Sequence, residues 1–242
     1  MGIILSKYVM PGNRVDLQEI QRVKEDGTKR KAYQSQVIEI ISDDRMEIAM
    51  PIDKSKLILL PVDAEYDLYF YTPNGLYQCY ARVIDRYKNN NIYILLLDLT
   101  SNLRKYQRRE YYRFSCALEM NSRPLQEEEV NAIEQNANLL VPGLPLQRSI
   151  IVDISGGGLR FVANYAYEIE SLILCKYQLW IENESKDYSL VGKVLSAKEL
   201  ENRPGVYEHR VQYVNMAEDN REEIIKYIFD EERKTIKNQK GV

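Results

Sequence analysis

In 242 residues the sequence holds one histidine, three cysteines and one tryptophan. A lone His209 excludes a multi-histidine metal centre. Cys79, Cys116 and Cys175 stand far apart, with no CxxC and no even count, which excludes a zinc knuckle and a disulfide framework and suits a reducing compartment. No stretch approaches the roughly 20 apolar residues of a membrane span. The run Ile3-Ile4-Leu5 falls short of the about 7–15 apolar residues of a signal peptide. P-loop, GxGxxG, HExxH and GxSxG motifs are all missing. So is an excess of one charge: Lys+Arg 33 against Asp+Glu 36 gives a net charge of -3, which argues against a protein that coats itself with nucleic acid. With 45% hydrophobic and 29% charged residues, the expectation is a soluble cytoplasmic protein of one large domain or two small ones.

What is present is mostly β pattern. From Val15 to Asp98 period-two alternation dominates, with strands expected at Val15–Ile20, Tyr33–Ile41, Glu47–Ile52 and Leu57–Leu60. Leu76–Ile84 and Ile92–Leu97 flank the turn signal Lys88-Asn89-Asn90-Asn91 and read as a hairpin. A second turn lies at Thr72-Pro73-Asn74-Gly75, after the apolar and aromatic run Leu68–Tyr71. Short strands between turns suggest a small antiparallel barrel. Strand pattern resumes at Phe114–Met120, Ser149–Ile154, Gly158–Ala163, Leu172–Ile181, Ser189–Lys198 and Tyr207–Val214. An acidic segment, 125–138, reads as a short helix that Pro142 and Pro145 end. Ile224, Ile225, Ile228 and Phe229 recur at helical spacing, and Asp219 with Glu222 resembles a capping box. This face is expected to dock on its own barrel or on a second subunit as a homodimer. The start, Met1-Gly2-Ile3-Ile4-Leu5-Ser6, matches a myristoylation pattern with three fixed positions, but is read as a short first strand.

Two short motifs carry the chemistry. Arg109-Glu110-Tyr111-Tyr112-Arg113 is an RxxxR preceded by Arg108, and Asp153-Ile154-Ser155-Gly156-Gly157-Gly158 is a DxSxxG at the end of an apolar strand. Guanidinium forks fit phosphate oxygens and the O6/N7 edge of guanine. A carboxylate accepts from guanine N1–H and N2–H, a hydroxyl adds a donor or acceptor, and glycines let backbone N–H groups approach a bulky nucleotide. A ligand bearing both guanine and phosphate satisfies all of these. Alone, each motif is as readily a solvated arginine pair or a tight turn.

An RxxxR followed about forty residues later, from Arg113 to Asp153, by DxSxxG resembles the PilZ domain, the bacterial receptor for cyclic di-GMP. The front half resembles the N-terminal domain of flagellar-brake PilZ proteins. The resemblance implies a mainly β chain of two small antiparallel barrels, 1–102 and 103–242. An Arg-rich linker at 103–113 joins them, and a C-terminal helix spans about 219–238. It implies that Arg109 and Arg113 grip guanine edges and phosphates, that Asp153 and Ser155 bind a guanine, and that Gly157 and Gly158 shape the turn. Arg108 occupies a position associated with an intercalated pair of cyclic di-GMP molecules. No cofactor, metal or catalysis is implied. The downstream partner is expected to be a flagellar rotor or stator component or another protein.

Five cations against one anion between Arg104 and Arg113 are expected to repel and leave the linker mobile until a ligand with two phosphates neutralises them and reorients the domains. Two readings compete: a PilZ-fold adaptor without ligand, and a barrel binding single-stranded nucleic acid through the Arg104–Arg113 cluster and Tyr106, Tyr111 and Tyr112. A triad of Asp153, Ser155 and His209 is set aside in favour of a structural histidine. Cys116 and Cys175 are expected to be buried hydrophobes, and Trp180 to pack within the second barrel.

Overall fold

The computed structural model describes residues 4–20, 31–135, 137 and 139–240, so the myristoylation pattern at Met1-Gly2 lies outside the described residues. The chain divides into two units, Met1–Arg108 and Arg109–Val242. The first contains α1 (Leu5–Tyr8), β1 (Arg14–Glu19), β2 (Ala32–Ile40), β3 (Arg45–Ala49), β4 (Ile52–Asp53), β5 (Lys56–Leu57), β6 (Glu65–Thr72), β7 (Gly75–Asn89), β8 (Ile92–Leu99) and β9 (Arg104–Lys105). The second contains β10 (Phe114–Pro124), α2 (Glu127–Glu134), β11 (Gln147–Ser155), β12 (Gly158–Ala163), β13 (Leu172–Ile181), β14 (Glu184–Leu200), β15 (Arg203–Tyr213) and α3 (Glu218–Lys240).

In the first unit the strand order β6-β1-β2-β3-β8-β7 is closed into a ring by pairing of β6 with β7, and β9 adds to the start of β7. Val15, Leu17, Met46, Ile48, Leu68, Phe70, Leu95 and Leu97 fill it, the inward set of alternating strands. The hairpin of β7 and β8 turns at Asn90 and Asn91, whose positive φ values of 45° and 67° match the twist that two-residue hairpins favour. Three expectations are corrected. Residues 5–8 form a helical turn, not a first strand, and bury Leu5 in the ring core. β3 stops at Ala49 because Pro51 has no N–H to continue a ladder. The chain then folds back through left-handed Lys54 and Ser55, so Ile58 N donates to Pro51 O and β5 never reaches Leu60.

The second unit is a closed barrel in the order β10-β11-β12-β15-β14-β13. α3 contributes Ile224, Tyr227 and Ile228 to the same core as Ile151, Ile154, Phe161, Cys175 and Tyr177. The apolar helix face thus docks on its own barrel, while Phe229 is exposed. α3 begins one residue before the expected cap: Arg221 N donates to Ala217 O, and Asp219 sits inside the first turn. α2 occupies the acidic segment and carries a capping box that was not anticipated, Gln126 N donating to Glu129 Oε2 at 2.7 Å. Trp180 contradicts its expected packing. Leu179 and Ile181 face the core, so period two turns Trp180 outward, and it is 59% exposed.

Candidate ligand site

The DxSxxG motif is the hairpin between β11 and β12. Two glycines form its turn, so Ser155 pairs with Gly158, Ile154 with Leu159 and Asp153 with Arg160. Ser155 Oγ donates to Gly158 O at 2.9 Å and is buried, which closes the turn. Tyr213 N donates to Gly157 O at 3.0 Å, tying the turn to β15. Neither Gly156 nor Gly157 has a positive φ, so close approach, not backbone conformation, selects glycine here. A Cβ on Gly158 would lie 2.1 Å from Val211 O, and Cβ atoms on Gly156 and Gly157 would lie 2.8 Å and 2.9 Å from the Tyr111 ring. The space that was expected to admit a nucleotide backbone contact is thus filled, at Gly156 and Gly157, by an aromatic side chain of the RxxxR motif itself.

Asp153 is held from β12. Arg160 Nε donates to Asp153 Oδ2 at 2.5 Å, and its Nη1 donates to Glu208 Oε2 on β15 at 2.6 Å. Arg210 Nε lies 3.6 Å from the other oxygen of Glu208. Partial burial opposes charge on Arg160, but the hydrogen bonds to Asp153 and Glu208 outweigh it and raise its pKa. This ladder of alternating charge runs across three strands, with the Asp153 side chain only 13% exposed. Arg160 was not among the expected site residues, although counting across a two-residue turn pairs it with Asp153.

Arg109 and Arg113 belong to the second unit and are exposed. Between them the Tyr111 ring lies against the glycine turn, its hydroxyl pKa raised by a hydrogen bond with Glu110. The Arg221 guanidinium carbon is 5.2 Å from the ring centroid, and Arg221 Nη1 donates to Gly156 O at 2.8 Å. Arg108 belongs to the first unit. Its Nη1 donates to the Tyr71 hydroxyl at 2.9 Å, and that hydroxyl donates to Asp16 Oδ2 at 2.7 Å. Arg104 Nε donates to Gln78 Oε1, and β9 pairs with β7. Of the cations expected to repel one another, Arg104 and Arg108 therefore have side-chain partners on the first ring, and Tyr106 N between them donates to Leu76 O at 2.8 Å.

The triad is not assembled. His209 Nε2 accepts from Tyr167 N at 3.1 Å and its ring stacks on Phe161 at 4.5 Å, while burial lowers its pKa and keeps it neutral. Cys79 and Cys175 are buried, and burial pushes their thiols up to about 12; Cys116 is half-buried and pushed up to about 11. None of the three has thiolate character at neutral pH. A separate cavity of about 370 Å³ opens on the barrel wall among Asn121, Arg148, Ile150, Val162, Asn164 and Arg203, and none of the expected site residues lines it. Among the described residues no group of three or more His, Cys, Asp or Glu could hold a metal ion. No described helix is long and apolar enough to cross a membrane.

Residues 102–230, more than half of the chain, match the PilZ domain model. The chain belongs to the PilZ family. Residues 11–99 match a second model, described as flagellar protein YcgR, so a YcgR-type N-terminal domain precedes the PilZ domain. Among solved structures, the Bacillus subtilis inhibitor of motility MotI/DgrA is similar with a TM-score of 0.71 and 17% identity, over 93% of this chain and 99% of that one. YcgR from Escherichia coli, in complex with c-di-GMP, is similar with a TM-score of 0.51 and 13% identity, over 95% of this chain and 88% of that one. At these identities the likeness is one of fold. No curated protein matches the sequence. The flagellar-brake resemblance, the mainly β architecture with its closed barrel and second ring, and the C-terminal helix are all borne out.

Proposed function

We propose that this chain is a cytoplasmic, non-catalytic receptor that binds cyclic di-GMP and passes the signal to a protein partner controlling motility or surface behaviour. The observation that carries the reading is Tyr111 against the Gly156–Gly157 turn. This contact sets the RxxxR segment on the hairpin that bears Asp153 and Ser155, within one unit. Arg109 and Arg113 bind phosphates and guanine edges, Asp153 and Ser155 bind a guanine, and Gly157 and Gly158 keep the turn within reach of the ligand. Arg108 leaves the Tyr71 hydroxyl to stack on an intercalated second molecule. Membership of the PilZ family and likeness to a YcgR fold crystallised with c-di-GMP support the ligand; likeness to MotI/DgrA supports motility as the output. Because Arg104, Tyr106 and Arg108 bond to the first ring, the domains reorient about the residues that follow.

Titration calorimetry of the full chain with cyclic di-GMP tests this reading. Saturable binding is expected, with two ligands per chain. Arg113→Ala and Asp153→Ala should each cost about 1–3 kcal/mol of binding, as for a good bidentate guanine contact, with the fold kept. Absence of binding by the wild type overturns the reading. An unchanged scattering profile on saturation overturns the reorientation alone.

A further inference from the structure

We infer that Arg221 is a positioning residue for the ligand site, clamping Tyr111, and with it the Arg109–Arg113 segment, onto the Gly156–Gly157 turn. The inference rests on the cyclic di-GMP reading above and names a residue in neither motif. Residues 106–113 form no helix or strand. Arg113 adjoins Phe114, which pairs with Ile154 at the start of β10, so a ladder holds that end of the segment while Arg109 lies outside any strand. The course of the chain between them depends on side chains. Tyr111 is two residues from Arg109 and two from Arg113, and its ring meets the turn so closely that a Cβ on either glycine would fall within 2.9 Å of it.

Arg221 engages both halves of that contact. Its Nη1 donates to the Gly156 carbonyl at 2.8 Å, its guanidinium carbon sits 5.2 Å from the Tyr111 centroid, and its Nε donates to Glu218 Oε2 at 3.0 Å. The side chain is only 21% exposed. Ile225, one turn further along α3, also reaches Gly156. A planar cation is suited to this arrangement: it stacks on an aromatic face while its edge donates two directed hydrogen bonds, which an ammonium does less well. Weakening the clamp lowers the fraction of chains in which the arginines face Asp153 and Ser155. The apparent affinity falls by that fraction without loss of any ligand contact.

The test uses the full chain with Arg221→Ala, Arg221→Lys, Tyr111→Phe, Tyr111→Ala and the Arg221→Ala/Tyr111→Ala double variant. Hydrogen exchange is measured without added ligand, and cyclic di-GMP affinity is measured by calorimetry on variants whose circular dichroism matches the wild type. Arg221→Ala is expected to speed exchange at 109–113 and to weaken binding about tenfold, a population effect of the kind set out for binding-competent states. Arg221→Lys should recover part of the loss, and Tyr111→Phe, which keeps the ring, should bind like the wild type. The two alanine changes should not add in the double variant, because each breaks the same clamp. A merely structural Arg221 would lower the melting temperature yet leave the affinity of the folded chain unchanged; that result, or additive losses, overturns the inference. If the wild type itself binds no cyclic di-GMP, the proposed function falls, and the clamp is then decided by exchange alone: unchanged exchange at 109–113 in Arg221→Ala overturns it.

Discussion

Asp153 and Arg160 face each other across the β11–β12 hairpin, and Arg160 bridges from Asp153 to Glu208 on the next strand. Two carboxylates thus share one guanidinium. The carboxylate expected to read a guanine therefore enters binding already oriented.

Arg160→Ala removes that orientation and leaves Asp153 and Glu208 without their shared cation. The second unit should lose about 1–3 kcal/mol of stability, the cost of leaving a buried polar group unpaired, and cyclic di-GMP affinity should fall with the lost orientation of Asp153. Asp153→Asn should lose less than Asp153→Ala, since it keeps an acceptor. Calorimetry and denaturant unfolding of these three variants beside the wild type check both.

Arg123 and Glu129 form a second pair, buried on both sides, at 2.6 Å. Glu129 also accepts from Gln126 N and Val141 N, and the pair binds α2 to the barrel wall. Glu129→Gln breaks the pair and should destabilise the second unit by about 3–5 kcal/mol, measured by denaturant unfolding. The Arg123 hydrogen bond, first among several causes, holds the Glu129 carboxyl down at about 2 from its usual 4.5. Its folded pKa is depressed, so this stability is present in full above the unfolded value and is lost as pH falls from there through about 2. The acid limb of the stability curve should flatten in Glu129→Gln.

Gly158→Ala and Gly157→Ala should separate cleanly. The first drives a Cβ into the Val211 carbonyl, backbone against backbone, and should cost at least the about 1–3 kcal/mol of overpacking in unfolding experiments. The second meets only the edge of the Tyr111 ring. That ring can move, so stability should change little while ligand affinity drops.

His209 is the one histidine of the chain, which makes its titration easy to assign. Burial lowers its folded pKa below 6.5. The unfolded chain therefore takes up a proton first, and stability is full above that value and declines as pH falls below it. Urea midpoints should drop between pH about 7.5 and 5.5 in the wild type, where histidine charges. His209→Phe, which keeps the stack on Phe161 but leaves Tyr167 N without its acceptor, should be less stable than the wild type near neutral pH and show no such slope, so the difference narrows as pH falls.

Much of this was legible from local pattern. The β7–β8 hairpin announced itself through alternating residues around Asn90 and Asn91, and α3 through Ile224 and Ile228. Both motifs were readable because each is contiguous. The usual burial of tryptophan points Trp180 inward, whereas its alternation with Leu179 and Ile181 turns it outward. Arg160 was within reach by register counting. Arg221 was not: it meets Gly156 and Tyr111 only because α3 packs against the barrel, and no local spacing encodes a contact between residues so far apart in the chain. The left-handed turn at Lys54 and Ser55 was likewise hidden, because neither residue type favours that conformation.

The ring of the second unit closes where β10 meets β13, Met120 opposite Tyr177, with α2, β11 and β12 lying between them in the chain. Such a seam contributes a high contact order, since a long loop must lose its freedom before the pairing can form. The β13–β14–β15 meander pairs neighbours in sequence and carries no such delay. β12 also pairs with β15 across β13 and β14, so forming these two long-range seams, not the hairpins, is the expected slow step of folding in this unit. Until it is complete, β10 and β13 each present an unpaired edge that a neighbouring chain can join.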